Sequence, residues 1–246
     1  MTNKVYRSLG QMVKEGNFDK LLETLKESKD DERYINSLLS KKDGYSELEN
    51  LLYFIPQYSL DENKKLKEKV LDVIDYIIAL GTDVNTIFKS GITVFMQACQ
   101  YSNKELLEHL MKVSDINLDQ GDGRGARPLF YAVMGENVDV IEFLVKEKNV
   151  NMDQKMILLE GKTVFHNACM EMKEKSILKL MELGARPDIY DDYENLPCEL
   201  IPTFDEEIYS EEDKDEEFFA KCDQVFEITQ AYYKEYKKEK QKKKTI

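Results

Sequence analysis

Histidine is almost missing from this chain. Its 246 residues include two, His109 and His166, and they are not at metal-ligand spacing. Catalysis built on a histidine constellation is therefore not expected. The four cysteines (Cys99, Cys169, Cys198, Cys222) form no CxxC pair, and no histidine lies at zinc-ligand spacing from them. Tryptophan is absent. No window approaches the roughly 18 apolar residues of a membrane span. The first ten residues, MTNKVYRSLG, lack the apolar stretch of a secretory signal. The expectation is an intracellular, non-secreted protein of the cytoplasm, including its cytoskeletal or ciliary assemblies. An excess of basic charge is also lacking. The net charge is −13, which argues against general nucleic-acid binding. GDGRG (121–125) lacks the GxxxxGK[ST] spacing of a phosphate loop and follows no predicted strand, so it reads as a turn tip. Asp191 and Asp192 read as a solvated turn rather than a metal site. No cofactor, metal or small-molecule substrate is expected, and the chain is not read as an enzyme.

What is present is a core's worth of apolar residues, 42%, under a heavily charged surface, 34%. The length suits one long domain or two short ones. Charge is unevenly placed. Residues 205–217 (DEEIYSEEDKDEE) hold nine acids and one lysine, whereas residues 234–244 (KEYKKEKQKKK) hold seven lysines and two glutamates.

The chain also repeats itself. GITVFMQAC begins at Gly91 and GKTVFHNAC at Gly161. GARPLFYAV begins between them at Gly125, and a weaker copy, ENLPCELIP, begins at Glu194. A period near 34 residues marks a repeat architecture. Each phrase is followed by apolar residues at helical spacing, such as Val140, Ile141 and Leu144, and then by a polar turn. Each unit reads as two short helices, neither stable alone, that bury a shared face by stacking. Within the phrase, Thr93 and Thr163 are expected to cap helices. Phenylalanine, alanine and cysteine are expected to fill the space between helices.

These phrases resemble the ankyrin repeat. The best matches are GKTVFHNA, GARPLFYAV, LGTDVN (80–85) and LGARPD (183–188). The resemblance implies an all-α, ankyrin-like helical repeat solenoid with β-turn or hairpin connections and a C-terminal helix. It extends upstream through GYSELENLL (44–52), EKVLDVIDYIIALGTDVN (68–85) and SLGQMVKEGNFDKLLETL (8–25), with an insertion near 56–66. The expected division is about six units over 1–202, an acidic linker over 203–217, and an amphipathic helix with a Lys-rich tail over 218–246. The chain departs from the family at Val94 and Val164, where proline is preferred, and at Glu194, where glycine is preferred. An irregular last unit is expected, because that glycine allows a backbone angle costly for other residues. The resemblance also implies a structural role for His166.

Ankyrin-like arrays bind proteins through turn tips and the face of the first helices. The expected function is a non-catalytic interaction module, serving as an adaptor or a structural subunit of an assembly, with one or more protein partners. The alternative is a regulator that reaches an anionic partner (microtubule, nucleic acid or membrane surface) through the Lys-rich tail. The turn from Asn151 to Gly161 carries four apolar residues in a row, Met156, Ile157, Leu158 and Leu159. Such a run either folds back on the stack or marks an interface. The interface reading takes these four first and Phe88, in the turn with Ile87, second. Tyr131 and Met96 are its candidates on the first helices. The stripe Phe218, Cys222, Val225, Thr229, Tyr232, Tyr236 either covers the end of the stack or meets a partner.

Overall fold

The computed structural model describes residues 9–203 and 215–244. Residues 1–8, most of the expected acidic linker (204–214) and 245–246 lie outside that description. The chain divides into two compact units, Met1–Val140 and Ile141–Ile246.

The first unit is built from helices that follow one another in pairs. Residues 9–14 (α1) and Phe18–Glu27 (α2) form the first pair. An additional helix follows, α3 (Glu32–Leu39), which the repeat pattern does not predict. Then come α4 (Glu47–Tyr58) with α5 (Val70–Ala79), and α6 (Val94–Tyr101) with α7 (Lys104–Val113). α8 (Pro128–Met134) leads to α9 (Val138–Glu142), in which the second unit begins. The second unit continues α9 as a π-helical turn (Phe143–Glu147), then adds α10 (Val164–Met170), α11 (Glu174–Glu182) and a 3-10 turn at Pro197–Leu200. α12 (Glu216–Lys244) ends it. No β-strand occurs among the described residues; three isolated bridges pin the hairpin turns. The fold class is all-α.

The repeated phrase makes helix starts, as its chemistry requires. The Thr93 hydroxyl accepts from the Met96 amide and the Thr163 hydroxyl from the His166 amide. The buried imidazole of His166 lies 3.2 Å from the Thr163 amide, satisfying a second orphan donor of the first turn. Where threonine is missing, Pro128 and Pro197 open the turn, because proline has no amide to orphan. Phe95, Ala98, Cys99, Ala132, Phe165, Ala168 and Cys169 are buried, each within its own unit's core.

Two boundaries differ from expectation. α4 runs through the buried Pro56 to Tyr58, closed by the Ser59 hydroxyl donating to the Pro56 carbonyl at 3.0 Å. The inserted segment is therefore 59–69 rather than 56–66. At the other end, Asp215 caps α12, its carboxylate accepting from the Phe218 amide at 3.0 Å. The last residues of the expected acidic linker thus belong to the helix start, where negative charge favours the dipole.

α12 packs on the second unit through Cys222, Val225 and Thr229, all buried. The Tyr232 hydroxyl donates to the Ala185 carbonyl at 2.8 Å, and its ring meets Phe165 edge-on. Phe218, expected in the packed stripe, is exposed, since packing begins one turn later at Cys222.

Candidate interaction surface

One hydrogen-bonded loop recurs at the start of the units. An anchor residue donates its amide to the carbonyl four residues on, and the residue three on donates back to the anchor carbonyl. Phe88 with Ile92 and Gly91, Asp122 with Ala126 and Gly125, and Asp191 with Asn195 and Glu194 all follow this rule. The insertion holds another copy at Asp61, Lys64 and Lys65. The third residue must be left-handed: φ is +80° at Gly91 and Gly125, +67° at Gly161 and +65° at Glu194. Glu194 therefore keeps the turn that glycine makes elsewhere. The irregularity of the last unit falls instead on its first helix, which shrinks to the 3-10 turn.

The anchor decides what the loop buries. In three loops it is aspartate, at Asp61, Asp122 and Asp191. Asp122 Oδ1 accepts from the amides of Arg124 (2.8 Å) and Ala126 (2.9 Å), and Oδ2 from the Tyr131 hydroxyl (2.8 Å) and the Arg124 guanidinium (3.0 Å). Burial pushes this carboxyl up, but those four donors outweigh it and hold it below the usual range. Asp191 repeats the pattern with the amides of Tyr193 (2.9 Å) and Asn195 (2.8 Å). In the other two loops the anchor is apolar. Phe88 is 7% exposed and packs its ring on Tyr53 (4.3 Å) and Tyr45 (4.9 Å). Met156, 5% exposed, starts a loop two residues longer, its amide donating to Lys162 and its carbonyl accepting from Gly161.

These placements correct four of the expected contact residues. Phe88 and Met156 are loop anchors turned inward. Tyr131 is buried because Asp122 needs its hydroxyl, and Met96 is wholly buried in α6. None of the four offers a surface to a partner. Leu159 is half-buried. Ile157 and Leu158 are 84% and 68% exposed, on a short 3-10 turn, Ile157–Leu159, in the loop that is two residues longer.

That turn is not a loose loop. The next loop of the same unit is bonded to it: the Asp192 amide donates to the Glu160 carbonyl at 2.9 Å, and Lys155 pairs with Asp192 at 3.2 Å. Lys162 pairs with Glu160 and with Asp191 (3.9 Å), and its ammonium lies 5.8 Å from the Tyr193 ring centroid. At the loop base the Arg186 amide donates to Asp153 at 2.9 Å. Tyr193 is 67% exposed and Tyr190 50%. Two cross-linked turns therefore present Ile157, Leu158 and Tyr193 from fixed backbone, whereas Tyr190, just before the Asp191 anchor, hydrogen-bonds Tyr233 of α12. Sequence reading did not select the tyrosines. Their signal was register: Tyr193 stands two residues past the anchor, at the loop tip where Ser90 and Arg124 stand in other units.

The first unit shows the same coupling. The Gly123 amide donates to the Ser90 carbonyl at 2.9 Å, joining neighbouring loop tips. On its first helices, Gln97 donates to Tyr53 (2.7 Å) and accepts from Gln57 (3.2 Å), and Phe54 and Tyr101 are exposed beside them. Among the described residues no three His, Cys, Asp or Glu side chains are gathered to hold a metal. No described helix is long and apolar enough to cross a membrane.

Helix pairs repeating at about 34 residues, with neighbouring loop tips hydrogen-bonded within each compact unit, define a helical-repeat scaffold. A model of ankyrin repeats matches three copies here, over residues 66–156 and 95–191, which together reach across more than half of the chain. The chain belongs to the ankyrin-repeat family. Proteins built of these repeats generally mediate protein–protein interaction and are typically non-catalytic.

Proposed function

We propose that this chain is a non-catalytic adaptor or structural subunit of a larger assembly. It engages a protein partner through the tip surface formed by Ile157, Leu158 and Tyr193. The observation that carries this reading is two strongly exposed aliphatic side chains on a turn cross-linked to its neighbour. Exposed apolar area costs solubility, and burying each such side chain in an interface returns about 1.5–3 kcal/mol. Because the turn is already ordered, little conformational entropy is lost on docking. Aromatic side chains beside an aliphatic centre are the composition of an interface core.

The test is affinity capture from native extract with mass spectrometry, comparing wild type with Ile157→Asp/Leu158→Asp. Both positions are exposed, so the variant keeps its circular dichroism and thermal transition. The expected result is a specific set of captured proteins, part of which the variant loses. An unchanged set would remove the tip from the interface. If the captured set is anionic and is lost on deleting residues 234–246, the Lys-rich tail is the contact instead.

A further inference from the structure

One side of α4 carries polar groups that nothing in the protein satisfies. Glu47, Asn50, Phe54 and Tyr58 recur at helical spacing and, together with Val13 and Lys14 of α1, line a hollow of about 750 Å³. Glu47 and Asn50 also line a second hollow of about 290 Å³, with Ser37 of α3 and Lys42 of the following turn. Because they share these two side chains, the hollows form one groove across the start of α4. All of it lies within the first unit.

Comparable groups nearby are bonded. Gln97 holds in α6 the place that Asn50 holds in α4, four residues past the N-cap, and it is tied to Tyr53 and Gln57. Glu49 accepts from the Ser46 amide and the Thr86 hydroxyl and pairs with Lys41. The Glu47 carboxylate and the Asn50 carboxamide are both half-buried, and neither has a hydrogen-bond or ion-pair partner among the described residues. Burial pushes the Glu47 carboxyl above its usual range, although Lys42 draws it down. A desolvated acid in a cleft, with no cation bonded to it, is the signature of a binding site.

The groove's own chemistry defines what fits it. The carboxylate calls for a lysine or arginine. A free carboxamide both donates and accepts, which suits a peptide backbone. Phe54, 42% exposed, and the half-buried Tyr58 offer apolar surface further along the helix. Seven residues of helix separate Glu47 from Phe54, about 10.5 Å at 1.5 Å per residue. An extended peptide covers that distance in three residues, at roughly 3.5 Å each.

We propose that this groove docks an extended segment of a partner protein in which a lysine or arginine stands three positions from a large apolar residue. The basic group meets Glu47, the segment's backbone meets Asn50, and the apolar side chain lies against Phe54 and Tyr58. The site is separate from the Ile157, Leu158 and Tyr193 tip, which belongs to the other compact unit.

The experiment is fluorescence anisotropy of the full chain with a labelled octapeptide, Gly-Gly-Arg-Ser-Ser-Leu-Gly-Gly, and with its reversed sequence. Control peptides carry neutral citrulline in place of arginine, or serine in place of leucine. Binding in at least one of the two orders is expected, weakened at least about tenfold by citrulline, as the loss of a charge-assisted hydrogen bond requires. Glu47→Gln should bring the arginine peptide down to the citrulline level. Phe54→Ala should erase the preference for leucine over serine and keep the preference for arginine. Neither side chain is in the core, so both variants keep the circular dichroism of the wild type. No binding in either order, equal binding of the arginine and citrulline peptides, or an arginine preference that survives Glu47→Gln overturns the proposal. Binding that appears only in Lys4→Gln/Arg7→Gln would assign the groove to the chain's own first residues and overturn it too.

Discussion

Two glycines with the same backbone angle make the sharpest test of the tip-to-tip coupling. Gly91 and Gly125 both sit at φ +80°. An alanine at either position meets the same torsional cost, about 1–2 kcal/mol for a left-handed L-residue. Their surroundings differ. A Cβ at Gly125 meets nothing within 4 Å. At Gly91 it would fall on the next loop, 2.8 Å from the Asp122 carbonyl carbon and 2.9 Å from its Cα, and closer still to the Gly123 amide nitrogen. That amide donates to Ser90, so the backbone must move and the bond must stretch or break. Overpacking of this kind adds about 1–3 kcal/mol, and a lost hydrogen bond about 0.5–1.5 kcal/mol. Gly125→Ala should therefore cost about 1–2 kcal/mol and Gly91→Ala about 2.5–6.5 kcal/mol. Urea unfolding followed by circular dichroism reads the difference in midpoint at constant slope. Amide exchange adds a local readout, with Gly123 losing protection in Gly91→Ala alone. Equal destabilisation by the two substitutions, with Gly123 still protected in both, would refute the coupling.

The carboxyls of Asp122, Asp188, Asp191 and Glu49 are each pushed up by burial but held below their usual range by stronger hydrogen bonds and cations. With folded values below unfolded ones, their stabilisation is present above about pH 4 and is lost as pH falls through the folded values. Urea midpoints should thus drop below pH 4, and less steeply in Asp122→Asn; a flat profile would contradict the network. Burial, opposed by the Asn195 carbonyl and Asp191, keeps the His166 imidazole below its ordinary range. In the unfolded chain it takes its proton at about pH 6.5, so stability should also fall as pH drops below that, and nuclear magnetic resonance should show His166 titrating below the free imidazole; a titration at or above the free value would refute this. The four cysteines are buried free thiols, all pushed up by burial. A thiol-reactive dye should label none in the native protein and four in guanidinium, and rapid native labelling of any one would contradict their burial.

The repeat was legible because its punctuation is chemical. Left-handed glycines, threonine caps and small residues between helices recur at fixed positions, and each has a single structural use. The C-terminal helix was legible from its stripe, though not where packing begins. α3 was not, since ERYINSLL carries no repeat signature, though it packs on α4. The π turn after α9 was hidden too. It adds a residue inside a continuous helical pattern, and Asn149, at φ +54°, then takes the left-handed position that Gly81 and Gly184 take elsewhere. At the tips, apolar composition pointed to the right loop but not to the right side chains. Loop anchors alternate inward, so in Ile87–Phe88 and Met156–Ile157 one residue of each pair is buried and the other exposed. Tyr131 is drawn inward by a carboxylate nine residues away, a dependence that no local pattern displays.

Site-specific photocrosslinking tests the partner surface most directly. A photoreactive amino acid is placed at position 158 or 193, on the tip, or at position 178, where Leu178 is an exposed apolar residue on α11 of the same unit. The account predicts a shared covalent adduct with a defined protein from positions 158 and 193, and none from 178. The same adduct from position 178, or none from the tip while capture still succeeds, would contradict it.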